Sequence, residues 1–339
     1  MPATPERTSG SAPARRPPWL AWAALCCWLI AGAGAAAAQT WPSKPVKIVV
    51  PTSPGGATDT LARALAARLG ESWRQPVLVE NRPGANQIIG GEYVAHAAPD
   101  GYTLIVSDAS TVVINPFLYR NLSYDPLTAF APVSRLVQVP WVIAISASLP
   151  VKSVTELIDF ARARPGYLSY GSFGNGSSAH ICMDYFKRLQ GIDIVHVPFK
   201  GSAPALTALL AGDISMMMVT PQVVEAHARS GKLRLIAAAT PERIPGLLDV
   251  PTVSESGVPG YVAGTWFGML GPAGTPADVI ARIGADVGRL MREPAFREQH
   301  ITGQWLIPVE DTPEQFAEFI REDAARWKKL IAAAGVSVD

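Results

Sequence analysis

The sequence predicts two α/β units in one chain, and three observations support this fold class. Short apolar runs alternate with amphipathic stretches through most of the chain after residue 40. The alternation runs once through residues 46–107 and starts again after residue 140. The roughly 300 residues that follow residue 38 of this 339-residue chain are also many for one core and comfortable for two lobes. Strands that alternate with helices indicate parallel sheets covered by helices.

The first predicted unit has three strands and two helices. The predicted strands are Val46–Pro51, Val77–Glu80 and Tyr102–Ser107, and the predicted helices are Thr60–Leu69 and Ile88–His96. Leu residues form one apolar stripe on the first helix, which we expect to end at Gly70. We also expect Thr58 or Asp59 to cap this helix at its N-terminus.

The second predicted unit repeats the alternation. Its strands are Trp141–Ser146, Leu168–Gly171, Ile194–Pro198, Ile214–Val219 and Leu233–Ala238, and its helices are Val154–Ala163, Ala179–Leu189, Ala203–Ala211 and Pro221–Ser230. Two further helices, Pro276–Met291 and Thr312–Ala334, complete the chain. The runs Leu136–Ser146 and Thr265–Gly271 lie between the units, so either could carry the chain from one lobe to the other. Met216–Met218 is expected to be an interior strand. Trp266 fits a pocket, the core or the hinge.

Residues 1–38 have the pattern of a secretory signal peptide. Three arginines precede the apolar run Trp19–Ile30, and Ala36 and Ala38 form an Ala-x-Ala end, which predicts cleavage near Ala38 and export to the periplasm. The apolar run is shorter than the ~20 residues that span a bilayer. Pro17-Pro18 after the arginine pair favours the general export route over the twin-arginine route.

Cysteine content and charge exclude several classes of protein. Cys26 and Cys27 lie in the predicted signal segment, which leaves Cys182 alone, without a disulfide partner, as an expected buried and inert thiol. Lys and Arg total 29 and Asp and Glu total 28. This near balance, without basic clusters, argues against nucleic acid or an anionic membrane surface as a partner.

Two glycine-rich loops are the candidate binding elements, because each follows a strand and leads into a helix. Ligands of open α/β sheets bind outside the carboxyl ends of strands, where helix N-termini and backbone amides attract anions. Hydroxyls and amides without a basic side chain suit a carboxylate held by neutral donors. The alternative is a pair of capped turns that bind nothing. The candidate residues are Ser53, Gly55, Gly56, Ala57, Thr58 and Asp59 in the first loop, and Ser172, Gly174, Gly176, Ser177 and Ser178 in the second.

Catalytic and metal sites are poorly supported. Neither loop matches the phosphate-binding lysine loop or G-x-G-x-x-G, and no G-x-S-x-G occurs around the serines. A serine hydrolase based on Ser177 or Ser178 with His180 is disfavoured, since side chains so close along one helix start diverge and no orienting acid is evident. The five histidines lack metal-ligand spacing. We therefore expect no enzyme, metal or cofactor. His96 and His227 are expected to complete backbone hydrogen bonding near helix ends.

The same motifs resemble a known family. The stretches "PGGATDTLAR", "VENRPGANQIIGGEYVAHAAPDGYTL", "INPFLYRNLSYDP", "YGSFGNGSSAH", "VHVPFKGSAPALTALLAGDI" and "DVPTVSESGVPGY" resemble the Bug family, the extracytoplasmic receptors of tripartite tricarboxylate transporters. The resemblance runs from about residue 41 to the C-terminus, with the motifs in the family's order.

This resemblance implies the two-lobed type II periplasmic binding protein fold, with two chain crossovers at the hinge. Residues 39–141 and 262–339 would form one lobe and residues 142–261 the other. It implies a monomer that captures a small carboxylate, or a related aromatic acid or amide, for membrane permease subunits. In the family the two loops hold one ligand carboxylate, and variable positions contact the rest of the ligand. Here these positions would include Asn86, Asp108, Ser110, Lys200, Val219 and Thr220.

Two positions depart from the family pattern and bear on the ligand. Many relatives have Thr or Ser where this chain has Asp108, and Asp where it has Val219. An acid at position 108 would repel a second carboxylate, which argues against a tricarboxylate. A monoacid with an amine, an amide or a ring nitrogen fits better. Two other interpretations stay open at this point. Lys200 and Ser202 could form a surface turn instead of lining a cleft, and the protein could be a ligand sensor for a two-component system.

Overall fold

The structure is a computed structural model that describes residues 41–309 and 311–338. The predicted signal segment and its cleavage point lie outside the described residues. Within the described part of the chain, no helix combines the length and the apolar character that a membrane span requires.

Two sheets organise the described residues. The first sheet consists of β1 (Val46–Val50), β2 (Val77–Asn81), β3 (Thr103–Asp108), β4 (Phe130–Pro140), β10 (Gly264–Pro272) and β11 (Ile307–Pro308). The second consists of β5 (Val142–Ser146), β6 (Ser169–Ser172), β7 (Val195–Pro198), β8 (Met216–Val219) and β9 (Leu233–Ala238). The six strands of the first sheet have the order β11-β4-β10-β3-β1-β2, and the five of the second have the order β7-β6-β8-β5-β9.

Ten α-helices among the described residues cover these sheets. The first sheet carries α1 (Ala57–Trp73), α2 (Ile88–Ala95), α3 (Asn115–Leu118), α8 (Ala277–Arg292), α9 (Pro294–His300) and α10 (Pro313–Ala334). The second carries α4 (Val154–Ala163), α5 (Ser178–Gln190), α6 (Ser202–Ala211) and α7 (Pro221–Arg229). We call the first sheet with its helices the first lobe, and the second sheet with its helices the second lobe. The prediction of two α/β units is confirmed.

The sheets are mixed, which corrects the expectation of parallel sheets. β1 pairs in parallel with β2 and β3, but β10 runs antiparallel to both β3 and β4. Likewise, β5 runs antiparallel to β8 and β9. The antiparallel strands come from the two runs that were predicted to connect the units. Thr265–Gly271 lies inside β10, and Leu136–Ser146 contains the end of β4 and all of β5. The strands that link the two sheets thus belong to the sheets themselves.

The first helix differs from its prediction at both ends. Its N-cap is Gly56, without a side-chain cap, so the prediction that Thr58 or Asp59 caps it is wrong. The helix also continues through Gly70 to Trp73, and its C-cap is Arg74, which has a left-handed backbone. Trp73 explains the extension, because its buried indole donates a 2.8 Å hydrogen bond to Asp286 of α8. This tertiary contact holds the last turn against the low helix propensity of glycine.

Other predicted core features agree with the structure. Met216, Met217 and Met218 are fully buried, as expected of an interior strand. Cys182 is buried, and burial raises the pKa of its thiol to about 12, so it is an unreactive thiol. Trp266 is also fully buried, and its indole donates a 2.7 Å hydrogen bond to Asp323 of α10. Trp266 therefore belongs to the core of the first lobe.

Candidate functional site

The first glycine loop lies between β1 and α1 and is braced by Asp59. The Asp59 carboxylate accepts hydrogen bonds from the Gly55 backbone at 2.9 Å, Asn81 Nδ2 at 2.9 Å and Arg63 Nε at 3.0 Å. Burial acts to raise the pKa of Asp59, but these three donors outweigh it and lower that pKa. Asp59 is thus satisfied inside the loop, and its role here is to fix the loop's shape.

The open donors of this loop are at the start of α1. The first backbone N–H groups of any helix have no partner within the helix. Because N-cap Gly56 has no side chain to accept from them, those of Ala57 and Thr58 are left to an external acceptor. The Thr52 hydroxyl is also buried, without a hydrogen-bond partner among the described residues, whereas Ser53 is exposed.

The second glycine loop satisfies most of its own polar groups. The Gly174 N–H donates to Ser172 Oγ at 3.2 Å, and the Gly176 N–H donates to His180 Nδ1 at 3.0 Å. Ser177 donates its hydroxyl proton to the Gly174 carbonyl at 2.8 Å and caps α5 by accepting from the His180 backbone. Ser177 is therefore the N-cap of α5. The cap leaves the N–H groups of Ser178 and Ala179, the first two residues of α5, without a side-chain acceptor.

A stacked pair of histidines contacts the second glycine loop. Sequence reasoning missed this pair. The rings of His180 and His196 stack with centroids 3.9 Å apart. His196 Nε2 lies 2.6 Å from Ser172 Oγ, and His180 Nε2 lies 3.2 Å from an Asp184 oxygen. His196 could have been found from its position, because it pairs across parallel strands with the residue two places before Ser172.

The protonation of this pair follows from its contacts. His180 Nδ1 accepts from the Gly176 N–H, so its proton is on Nε2, facing Asp184. Burial and the nearby His180 lower the pKa of His196 to about 4. The two ring nitrogens of His180 therefore contact the Gly176 N–H and the Asp184 carboxylate. Ser177 Oγ accepts only from the His180 backbone N–H. This geometry gives no support to a hydrolase built on Ser177 and His180.

Asn86 connects the two lobes. Its Nδ2 donates to Asn115 Oδ1 at 2.9 Å and to the Gly176 carbonyl at 3.0 Å, and Asn115 returns a 2.9 Å hydrogen bond to the Asn86 carbonyl. Asn86 also has a left-handed backbone, with φ at 48°. The predicted ligand-contact position is thus in contact with the second loop.

One segment of the first lobe touches both glycine loops. At the end of β2, Asn81 donates to the Thr52 carbonyl of the first loop at 3.1 Å. A few residues later, Asn86 reaches Gly176 of the second loop. In α2, Gly90 packs so closely on Pro51 that a Cβ there would lie 2.7 Å from the proline ring. The chain from Asn81 to Gly90 therefore lies against both loops.

Asp108 is a carboxylate without a cationic partner in the part of the chain that the structure describes. It ends β3 and accepts a 2.7 Å hydrogen bond from the backbone of Ser110, which is buried. Burial raises the pKa of Asp108, and hydrogen bonds from Ser110 and Gln87 only partly offset this.

The remaining predicted positions fall in three environments. Lys200 is exposed on the loop after β7. Val219 is buried in the hydrophobic core of the second lobe, so its side chain packs against protein. Thr220 follows β8 as the N-cap of α7, and its hydroxyl is buried without a hydrogen-bond partner among the described residues. Thr265, at the start of β10, has a hydroxyl in the same state, and sequence reasoning had not singled out that hydroxyl.

Two further expectations from the sequence concern metal binding and the histidines near helix ends. Within residues 41–309 and 311–338, no group of three His, Cys, Asp or Glu side chains is placed to hold a metal ion. His96 Nδ1 lies 3.0 Å from the Glu92 carbonyl at the end of α2, as expected of a histidine that completes backbone hydrogen bonding there. The corresponding expectation for His227 stays a prediction.

Comparison with known families decides the class of protein. A sequence model described as "Tripartite tricarboxylate transporter family receptor" matches residues 61–336. The chain belongs to this family. It is a solute-binding receptor, which confirms the resemblance found in the motifs.

Individual relatives of this receptor agree with the family match. The protein BugT of Bordetella pertussis is 36% identical over 313 residues, which cover 91% of this chain and 96% of BugT. The solved structure of R. palustris Rpa4515 with adipate has a TM-score of 0.84 at 35% identity, covering 88% of this chain and 99% of that one. MatC (Rpa3494) from Rhodopseudomonas palustris, with bound malate, has a TM-score of 0.80 at 32% identity, covering 86% and 100%. These matches confirm the two-lobed periplasmic binding protein fold.

The lowered pKa of His196 predicts a pH-dependent stability. Between about pH 4 and pH 6.5 the unfolded chain binds a proton at this residue and the folded chain does not, so stability falls as the pH falls through this window. We expect the full effect to be about 2 kcal/mol, after allowance for partial exposure. In His196→Gln, urea unfolding between these pH values should therefore show a flatter dependence than the wild type. His96→Gln, at an exposed histidine, is the matched control, and equal slopes in all three proteins would contradict this assignment.

Proposed function

We propose that this receptor captures a small carboxylate between the helix N-termini of its two lobes. The contact of residues 81–90 with both glycine loops carries the proposal, because the loop before α1 and the loop before α5 share this segment as a neighbour. Both helix starts have N–H groups without a side-chain cap, and the positive end of a helix dipole favours an anion. Relatives solved with adipate and malate support an acid as the ligand.

The proposed contacts refine the set expected from the sequence. The carboxylate would be held by the backbone N–H groups of Ala57 and Thr58 in the first lobe and of Ser178 and Ala179 in the second. Gly55, Gly174 and Gly176 would shape the loops, since their own N–H groups donate within the loops. Thr220, with its buried hydroxyl, would contact the rest of the ligand, while Val219 is left out because it packs in the core.

Asp108 sets the expected chemistry of the rest of the ligand. A carboxylate without a cationic partner attracts a group that donates hydrogen bonds and repels a second carboxylate. We therefore propose a monoacid that carries an amine, an amide or a protonated ring nitrogen. The receptor would act in the periplasm as a monomer after cleavage near Ala38, without catalysis, and present its closed form to permease subunits. Its lobes would be residues 39–141 with 262–339, and residues 142–261.

A thermal-shift panel of simple, amino, amide, dicarboxylic and N-heteroaromatic acids tests this function. An acid present at 100 times its Kd should stabilise the protein by ~2.7 kcal/mol. If no acid raises the melting temperature, the proposed function fails.

Proline at the first position of α5 tests the backbone donor. Ser178→Pro removes one N–H but suits a first helical position, and Ser177 before it already has the extended backbone that a proline requires. A lost hydrogen bond to a charged group is worth about 1.5–3 kcal/mol, so the affinity for the best acid of the panel should fall at least tenfold by calorimetry. Ser178→Ala keeps the N–H and is the matched control. Equal affinities for the proline and alanine variants would contradict the proposed contact.

Asp108→Thr tests the specificity. Removing the acid should weaken binding of amine-bearing monoacids and strengthen the response to dicarboxylates such as adipate and malate, because the repulsion is gone. The thermal-shift panel, repeated with this variant and with Asp125→Thr at an exposed acid of the first lobe, measures the change. An unchanged ranking of ligands in Asp108→Thr would remove Asp108 from the site.

A further inference from the structure

The side chain of Asn86 has no donor left for a ligand. An asparagine amide nitrogen has two protons. In Asn86 one is donated to Asn115 Oδ1 and the other to the Gly176 carbonyl, at 2.9 and 3.0 Å. The contact with Gly176 crosses from the first lobe to the second loop. These two hydrogen bonds suggest a role for Asn86 in holding the second loop, beside the ligand contact that the family resemblance implies.

The backbone around Asn86 is held in a costly conformation. Ala85, Asn86 and Gln87 are consecutive residues with φ of 46°, 48° and 72°. Left-handed backbone is unfavourable for side chains other than glycine, asparagine and aspartate, and such strain persists only where surrounding contacts enforce it. Here Asn115 returns a hydrogen bond to the Asn86 carbonyl, and Thr111 donates to Gln87 Oε1 at 2.8 Å. These contacts aim the Asn86 amide at the second lobe.

Gly176 is the matching part of the second lobe. Its φ is +73°, and an added Cβ would lie 2.8 Å from Leu118 and 3.2 Å from Val338, both in the first lobe. Its carbonyl accepts from Asn86, and its N–H donates to His180 of its own lobe. The peptide groups of this one residue are thus fixed from both lobes. Only glycine allows the backbone to approach the first lobe so closely.

We propose that Asn86 is a positioning residue that latches the second glycine loop to the first lobe when the receptor is closed. The latch rests on the proposed function, since it acts on the loop that would hold the carboxylate. When the lobes separate, Asn86 and the Gly176 carbonyl exchange their hydrogen bond for water. The latch therefore favours the closed form and sets the position of the α5 N-terminus relative to α1.

Hydrogen–deuterium exchange of the ligand-free, exported protein tests the latch. Asn86→Gly removes the side chain but keeps the left-handed backbone, and Asn86→Asp keeps the shape but replaces the donor nitrogen with oxygen. One neutral hydrogen bond favours the closed form by about two- to tenfold. Peptides covering residues 173–182 should therefore exchange about fivefold faster in both variants.

Asn121→Asp, at an exposed asparagine of the first lobe, is the matched control and should exchange like the wild type. Circular dichroism confirms folding, and either Asn86 variant is sufficient if the other is unstable. A purely local role would change exchange only around residues 85–87 and 115, and that result would overturn the latch. Because no ligand is added, the outcome stands apart from the acid panel. A panel without binders would refute the proposed ligand and leave the latch to be judged by exchange.

Discussion

The arrangement of the site depends on the peptide groups of Gly176. Its carbonyl accepts from Asn86 of the first lobe and its N–H donates to His180 of the second, while Leu118 leaves no room for a side chain. These contacts fix where α5 begins. The stacked histidines and Ser172 support the loop on its other side. A backbone loop is therefore placed by neutral hydrogen bonds from both lobes.

Local sequence signals predicted the isolated elements well. Helix α4 and strand β9 have the bounds that the sequence predicts, because Ser153 caps α4 and the apolar run of β9 has clear limits. The extension of α1 to Trp73 could not be predicted, since it depends on Asp286, more than two hundred residues away. The same holds for β10, whose antiparallel partners are set by the crossing between lobes.

The site likewise has a part that local sequence signals predict and a part that depends on distant contacts. Glycines between a strand and a helix marked both loops, and the family motifs added Asn86 and Asp108. The hydrogen bonds that join Asn86 to Asn115 and to the second loop were not predictable, because the paired residues are 29 and 90 positions apart. The proposed donors are the helix N-termini, because the N–H groups of Gly55, Gly174 and Gly176 already donate to neighbouring residues. In this proposal a carboxylate needs no lysine or arginine, since the first residues of a helix supply several N–H groups at once.

A crystal structure of the receptor with the acid that stabilises it best would test this account most directly. The account predicts one ligand carboxylate within about 3 Å of backbone nitrogens at the starts of both α1 and α5. A carboxylate bound by one lobe alone, or by a lysine or arginine side chain, would contradict it.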